Sequence, residues 1–277
     1  MQKRKQNKIY WLLGIAVLCC IGCVFAYWTQ ELLVHNEFKT ARYETNIEEK
    51  FVSPTNWEPG QETNKDVWLT NTGTVPAFAK IKVHQDWIRT KNVTDSDGNI
   101  VRPAEGENFP LSFNTGSGKE YAAQITWGKN VVLLSSGRNS SIDLGLPTVN
   151  HIEDAKGKWL LVTDVPDSNG DYLLYYIGTL EAGKKSPLLV DSVTMNSAIQ
   201  PAVIRKDTYY DEKTSQWVTK TQKNSTHDYE NAKYTMLITA TTVQATADAV
   251  KDVFGTDDDN ADIVKYLASL ATDSSKW

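Results

Sequence analysis

The fold class is set by one stretch: Asp66-Val67-Trp68-Leu69-Thr70, then Asn71-Thr72-Gly73, then Ala77-Phe78-Ala79-Lys80-Ile81-Lys82-Val83. In the last run Ala77, Ala79, Ile81 and Val83 share one parity, and Phe78, Lys80 and Lys82 the other. Successive strand side chains point to opposite faces, so the pattern is that of a half-buried antiparallel strand. Asn71-Thr72-Gly73 is the turn that separates it from the strand before. Working outward, residues 171–177, 188–195 and 234–243 read as further strands. Turn signals fall between the runs, at Asp97-Gly98-Asn99, Ser117-Gly118, Asn169-Gly170 and Ala182-Gly183. Short strands with Gly and Asp turns predict a mainly β chain, an antiparallel jelly-roll-like β-sandwich. Nine Trp and twelve Tyr favour the same class, because aromatic rings fit a pleated, half-buried surface.

Two regions depart from this pattern. Residues 89–160 are rich in Asn, Ser and Gly and are expected to form a loop-rich insertion. Residues 245–270 show helical spacing and are expected as a short helical appendix. Val250, Val253 and Phe254 mark a first helix, and Ile263, Val264, Leu267 and Leu270 a second. Gly255 is placed to end the first helix. Asp257 to Asp259 are placed to cap the second and match its dipole.

The amino terminus reads as an export signal. Lys3, Arg4, Lys5 and Lys8 precede an apolar run of 17 residues, 9–25, and Val24 and Ala26 suit the −3 and −1 positions of a cleavage site. Cleavage is expected between Ala26 and Tyr27, leaving a single domain over residues 27–277. An uncleaved anchor and lipidation at Cys23 remain as alternatives. Cleavage changes the net charge from −5 to −9, with 25 Lys and Arg against 34 Asp and Glu. Such an acidic chain lacks the basic face a general nucleic-acid binder needs. A mean hydropathy of −0.42 excludes a polytopic membrane protein. The three cysteines, Cys19, Cys20 and Cys23, all precede the cleavage site. The mature body therefore has no disulfide, cysteine nucleophile or zinc-cysteine site.

Catalytic motifs are sparse. None of His35, His84, His151 and His227 belongs to an HExxH pair, and His151 and Glu153 read as solvated loop residues. Gly116-Ser117-Gly118-Lys119 is followed by Glu120 where a phosphate loop needs Ser or Thr. Two loops have alternating oxygens suited to a hard cation: Asp95, Asp97 and Asn99, and Asp167, Asn169 and Asp171. Neither is followed by a distal bidentate Glu, and the same residues make tight turns, which is the preferred reading. No cofactor and no enzymatic activity are expected.

The segment after the cleavage site is the most informative. Trp28, Leu32, Val34 and Phe38 share one parity over residues 27–38, the pattern of an amphipathic strand. Ala26-Tyr27-Trp28-Thr29 resembles the junction of proteins exported with a dedicated, ER-type signal peptidase. Asn36-Glu37-Phe38-Lys39-Thr40, Trp57-Glu58-Pro59-Gly60 and Thr70-Asn71-Thr72-Gly73 resemble elements that follow in the same proteins. So do Leu180-Glu181-Ala182-Gly183 with Asp191-Ser192-Val193, and the run 238–245. In type and order these are similar to the TasA/camelysin family, most closely its clostridial-type biofilm-matrix branch. Gln30, Ala41, residues 89–160 and the last two helices depart from the family pattern.

The resemblance implies a secreted sandwich that polymerises into extracellular fibres, its N-terminal strand inserting into the next subunit. Trp28, Leu32, Val34 and Phe38 would be the anchors. The implied partners are other copies of the chain, signal peptidase during export and possible further matrix proteins. The implied location is the extracellular matrix or cell surface. Two other readings stand beside it: a secreted camelysin-like metallopeptidase, for which there is no zinc motif, and a monomeric surface adhesin or ligand-binding module.

Overall fold

The structure, a computed structural model, describes residues 43–54, 56–94, 100–102, 106–199, 203–224, 229, 231–255 and 260–271. The chain begins with β1 (Thr45–Phe51), β2 (Glu62–Asn71), β3 (Ala77–Arg89), β4 (Val93–Thr94), β5 (Ile100–Arg102), β6 (Ser112–Thr115), β7 (Gly118–Tyr121) and β8 (Ala123–Trp127). It continues with β9 (Val131–Leu134), β10 (Thr148–Val149), β11 (Trp159–Leu161), β12 (Asp171–Tyr176), β13 (Val190–Met195), β14 (Val203–Asp211), β15 (Gln216–Asn224) and β16 (Ala232–Gln244). Two helices follow, α1 (Ala247–Phe254) and α2 (Ala261–Leu270).

The protein is mainly β, with antiparallel pairing dominant and two short C-terminal helices. One sheet has the order β1-β2-β13-β8 and the other β10-β9-β11-β12-β3-β16. They face each other across a single apolar layer. Val67 and Leu69 of β2, Ile125 and Trp127 of β8, and Val190 of β13 meet Ala79, Ile81 and Val83 of β3 and Leu174 of β12. The alternation in β3 is as expected: its odd positions are buried along the whole strand. Asn71, fully buried, locks the turn before β3. Its Nδ2 donates to the carbonyls of Val75 (2.7 Å) and Leu180 (2.8 Å), and its Oδ1 accepts the Gly73 N–H (2.9 Å).

The second face of the larger sheet is also covered. Phe78, Val132, Leu160, Tyr175 and Val243 pack there against Val250 and Phe254 of α1 and Ile263, Val264 and Leu267 of α2. The expected appendix is thus a third layer with its own core. Thr246 caps α1 through the Ala249 N–H, and Gly255 ends it with an N–H bond to the Lys251 carbonyl. The residues proposed to cap α2, 257–259, lie outside the described set, and Asn260 stands at the N-cap.

Residues 89–160 differ most from expectation. They supply β8 to the smaller sheet and β9 and β10 to the larger one, and Trp127, Val131 and Leu133 to the main core. β9 is parallel to both of its neighbours, β10 and β11. The segment reads as irregular because these strands are two to five residues long, too short for a clear alternation. At one end of the sandwich Trp87 is enclosed by aromatic rings. Trp57 stacks on it at 5.9 Å, and Tyr229 and Tyr234 lie 5.1 and 5.0 Å away. Among the described residues β14 and β15 pair only with each other, and Trp217 there is 72% exposed.

The helical layer is integral to stability. Phe254 is fully buried and meets the Tyr175 ring edge-on at 5.9 Å. Phe254→Ala is expected to cost about 3–5 kcal/mol in urea unfolding, the usual range for a buried aromatic. A detachable appendix would give a loss near zero.

Candidate functional site: an open flank of the sandwich

β1 and β16 end their respective sheets on the same flank. The Thr45 and Thr242 hydroxyls lie 2.8 Å apart and join them. The ladder between β16 and β3 has a fixed phase, because the Ala245 N–H bonds the Pro76 carbonyl and the Thr90 N–H bonds the Asn231 carbonyl. Hydrogen-bonded and non-bonded pairs alternate in an antiparallel ladder. Tyr234, Met236, Ile238, Ala240 and Thr242 therefore turn their backbone N–H and C=O groups away from β3. The Thr72 N–H to Glu44 carbonyl bond sets β1 in the same way, with Thr45, Ile47 and Glu49 facing outward. Among the described residues no strand pairs with either outer edge.

The side chains show the same incompleteness. Ile47, Met236, Ile238 and Ala240 pack against the main core yet remain half-buried. A free edge invites further pairing, and folded proteins blunt such edges with charge, Pro or short length. β1 carries Glu48, Glu49 and Lys50, and β10 is two residues long. β16 is different: 13 residues, neither Pro nor Gly, and Lys233 its one charge. Leu237, on the opposite face of the strand, is 58% exposed.

The proposed donor residues Trp28, Leu32, Val34 and Phe38, and the cleavage pair Ala26 and Tyr27, lie outside the described residues. The described chain starts at Tyr43, beside Thr242 near the end of β16. Burial pushes the Tyr43 hydroxyl well above the usual phenol range, partly offset by Thr242. Sequence reading missed Met236, Ile238 and Ala240 as edge residues. The available signal was a long strand without charge or Pro, but nothing in the sequence says that it lies at an edge.

Of the two acidic loops, the described one, at Asp167–Asp171, is built as a tight turn. Asp95, Asp97 and Asn99 lie outside the described residues. Asp167 spends its Oδ1 on the N–H groups of Asn169 (2.8 Å) and Asp171 (3.0 Å), which closes a turn completed by Gly170 at φ +85°. The Asp171 carboxylate points elsewhere. It meets His84 Nδ1 at 2.6 Å and Lys82 Nζ at 3.0 Å on the outer face of the larger sheet. Burial raises the Asp171 carboxyl, but the bonds and charges of Lys82 and His84 outweigh it and hold the group below the usual carboxylate range. Among the described residues no three His, Cys, Asp or Glu side chains are grouped to hold a metal ion. No helix among them is long and apolar enough to cross a membrane.

A depressed carboxyl contributes stability that is present above its unfolded value, about 3.9, and lost as the pH falls through its lower native value. Lys82→Met is expected to cost about 1 kcal/mol at pH 7. The gap to the parent protein should narrow as the pH falls below about 3.9 and close only below the lowered native value, where Asp171 is neutral in both. Urea titrations at pH 7 and pH 3 measure it, and a gap that stays constant with pH contradicts the assignment.

No family model matches the chain, and neither a curated protein nor a solved structure matches it.

Proposed function

We propose that the chain is a secreted structural subunit of extracellular biofilm-matrix or cell-surface fibres, assembled by donor-strand exchange. The observation that carries this reading is the long, nearly uncharged free edge of β16 above a half-buried apolar stripe. Residues 27–38 of a second copy are the proposed occupant. Twelve residues at about 3.3 Å each span roughly 40 Å, close to the length of β16. With Trp28, Leu32, Val34 and Phe38 turned inward, they would lie beside Met236, Ile238 and Ala240. Each such side chain contributes about 1.5–3 kcal/mol on full burial, against the cost of ordering the segment. Main-chain bonds to β16 add affinity and register.

A donor at one end and an acceptor along the flank make a head-to-tail contact, which gives a filament when it does not close. The signal peptide keeps the strand tethered until export. The sequence resemblance to the TasA/camelysin family supports the same reading, whereas the metallopeptidase alternative rests on that resemblance alone.

The test compares mature protein 27–277 with a form lacking residues 27–38 and with Ala240→Pro. Pro at an outward-facing N–H removes no bond to β3, so the monomer keeps its fold. Mature protein is expected to form filaments on electron micrographs, and both altered forms to remain folded monomers by sedimentation. Mature protein that stays monomeric at high concentration, or Ala240→Pro that polymerises like its parent, overturns the proposal.

A further inference from the structure

Away from the open flank, a cleft of about 780 Å³ lies where the turn after β9 and the turn after β10 meet the start of α2. Its volume is within the roughly 300–1,000 Å³ range of small-ligand sites. The walls are built rather than incidental. Asp164, 2% exposed, accepts the N–H groups of Asn139 (2.8 Å) and Ser140 (2.9 Å) and pins one wall. Gly137 packs so closely on Val162 that a Cβ would lie 1.7 Å from the Val162 carbonyl oxygen. Ser135 Oγ lies 2.7 Å from Asn150 Oδ1 and 2.9 Å from the Val149 carbonyl oxygen, which ties the turn after β9 to the turn after β10.

The chemistry of the lining narrows the ligand. Asn139, Asn150 and Asn260 bring three amides, Ser136 a hydroxyl, His151 an imidazole and Glu153 a carboxylate. Asn260 is 7% exposed, stands at the N-cap of α2 and makes no cap bond, so its amide is not consumed by the helix. The first N–H groups of α2 have no acceptor within the helix. Val162, Ile152 and Ile263 give an apolar floor. Among the described residues neither Lys nor Arg lines the cleft, and Glu153 and Asp262 do, so an anion is disfavoured. Among the described residues the lining has no Phe, Tyr or Trp ring, so neither a stacked base nor a quaternary ammonium is well served. Mixed amide donors and acceptors over an apolar floor match a pyranose, whose hydroxyls both donate and accept and whose C–H face is apolar.

We propose that this cleft, built from the turns after β9 and β10 and the start of α2, binds a neutral saccharide. His151 and Glu153, which read as solvated in the sequence, are assigned here as ligand-facing residues. The proposal is independent of the fibre reading, since no residue lining the cleft belongs to β1 or β16.

The test is saturation-transfer NMR on the mature protein with neutral tetrasaccharides of N-acetylglucosamine, glucose, mannose and galactose, and with tetragalacturonate as the anionic comparator. At least one neutral tetrasaccharide is expected to give saturable transfer, and tetragalacturonate to bind at least tenfold more weakly. Asn260→Ala is expected to weaken binding by about tenfold, the ratio that 1.4 kcal/mol gives. Because that change touches a helix start, His151→Ala and Glu153→Gln on the exposed rim are measured beside it, each expected to weaken binding several-fold. No saturable transfer at 10 mM from any neutral sugar overturns the proposal. So does a preference for tetragalacturonate, or binding that both rim variants leave unchanged.

Discussion

The larger sheet has two apolar faces, and covering both is the constraint on which the architecture depends. β3 and β12 carry the demand: Ile81, Val83 and Leu174 need one partner layer, and Phe78 and Tyr175 need another. The smaller sheet covers the first face and α1 with α2 the second. A half-buried sheet would alternate cleanly between apolar and polar residues. Here the alternation in β3 breaks at Phe78, which is fully buried on the helix side. The outer face of the same strand turns polar at Lys82, His84 and Asp86, beyond the region the helices cover, and there Asp171 finds its partners.

The same coverage explains the open flank. The smaller sheet has four strands against six, so it cannot shield the full width of its partner. β1 reaches β16 through Thr45 and Ile47 and then ends its sheet. What remains is an edge with its backbone groups turned outward and a stripe of half-buried Met236, Ile238 and Ala240. An edge of that length is an exposure that natural sheets normally suppress. The proposed fibre assembly would convert it from a hazard into a binding site, and the amphipathic segment 27–38 has the length and parity to fill it.

Much of the fold was legible in the sequence. Period-2 alternation located β3 and β16, which are 13 residues long, and short apolar runs bounded by turn signals located β2, β12 and β13. The helical spacing over 261–270 matched α2, since Ile263, Val264 and Leu267 lie one turn apart. The strands between 89 and 160 were not legible. β8, β9 and β10 are short, and β9, flanked by β10 and β11 in the larger sheet, has buried residues on both faces, so its pattern carries no period. The cleft was also hidden, because His151 and Glu153 meet Asn260 only when α2 folds back onto the sheet.

The sequence by itself determined that the chain is mainly β, and where its longer strands and its C-terminal helices lie. Local side-chain periodicity and turn chemistry encode those choices within a few residues. Only the tertiary structure decided that β16 stands at an edge, that the C-terminal helices form a third layer, and that Asp171 pairs with Lys82 and His84. Those facts depend on which strand lies beside which. That order is set by the collective burial of residues more than 170 positions apart, as between Phe78 and Phe254, and no local pattern records it.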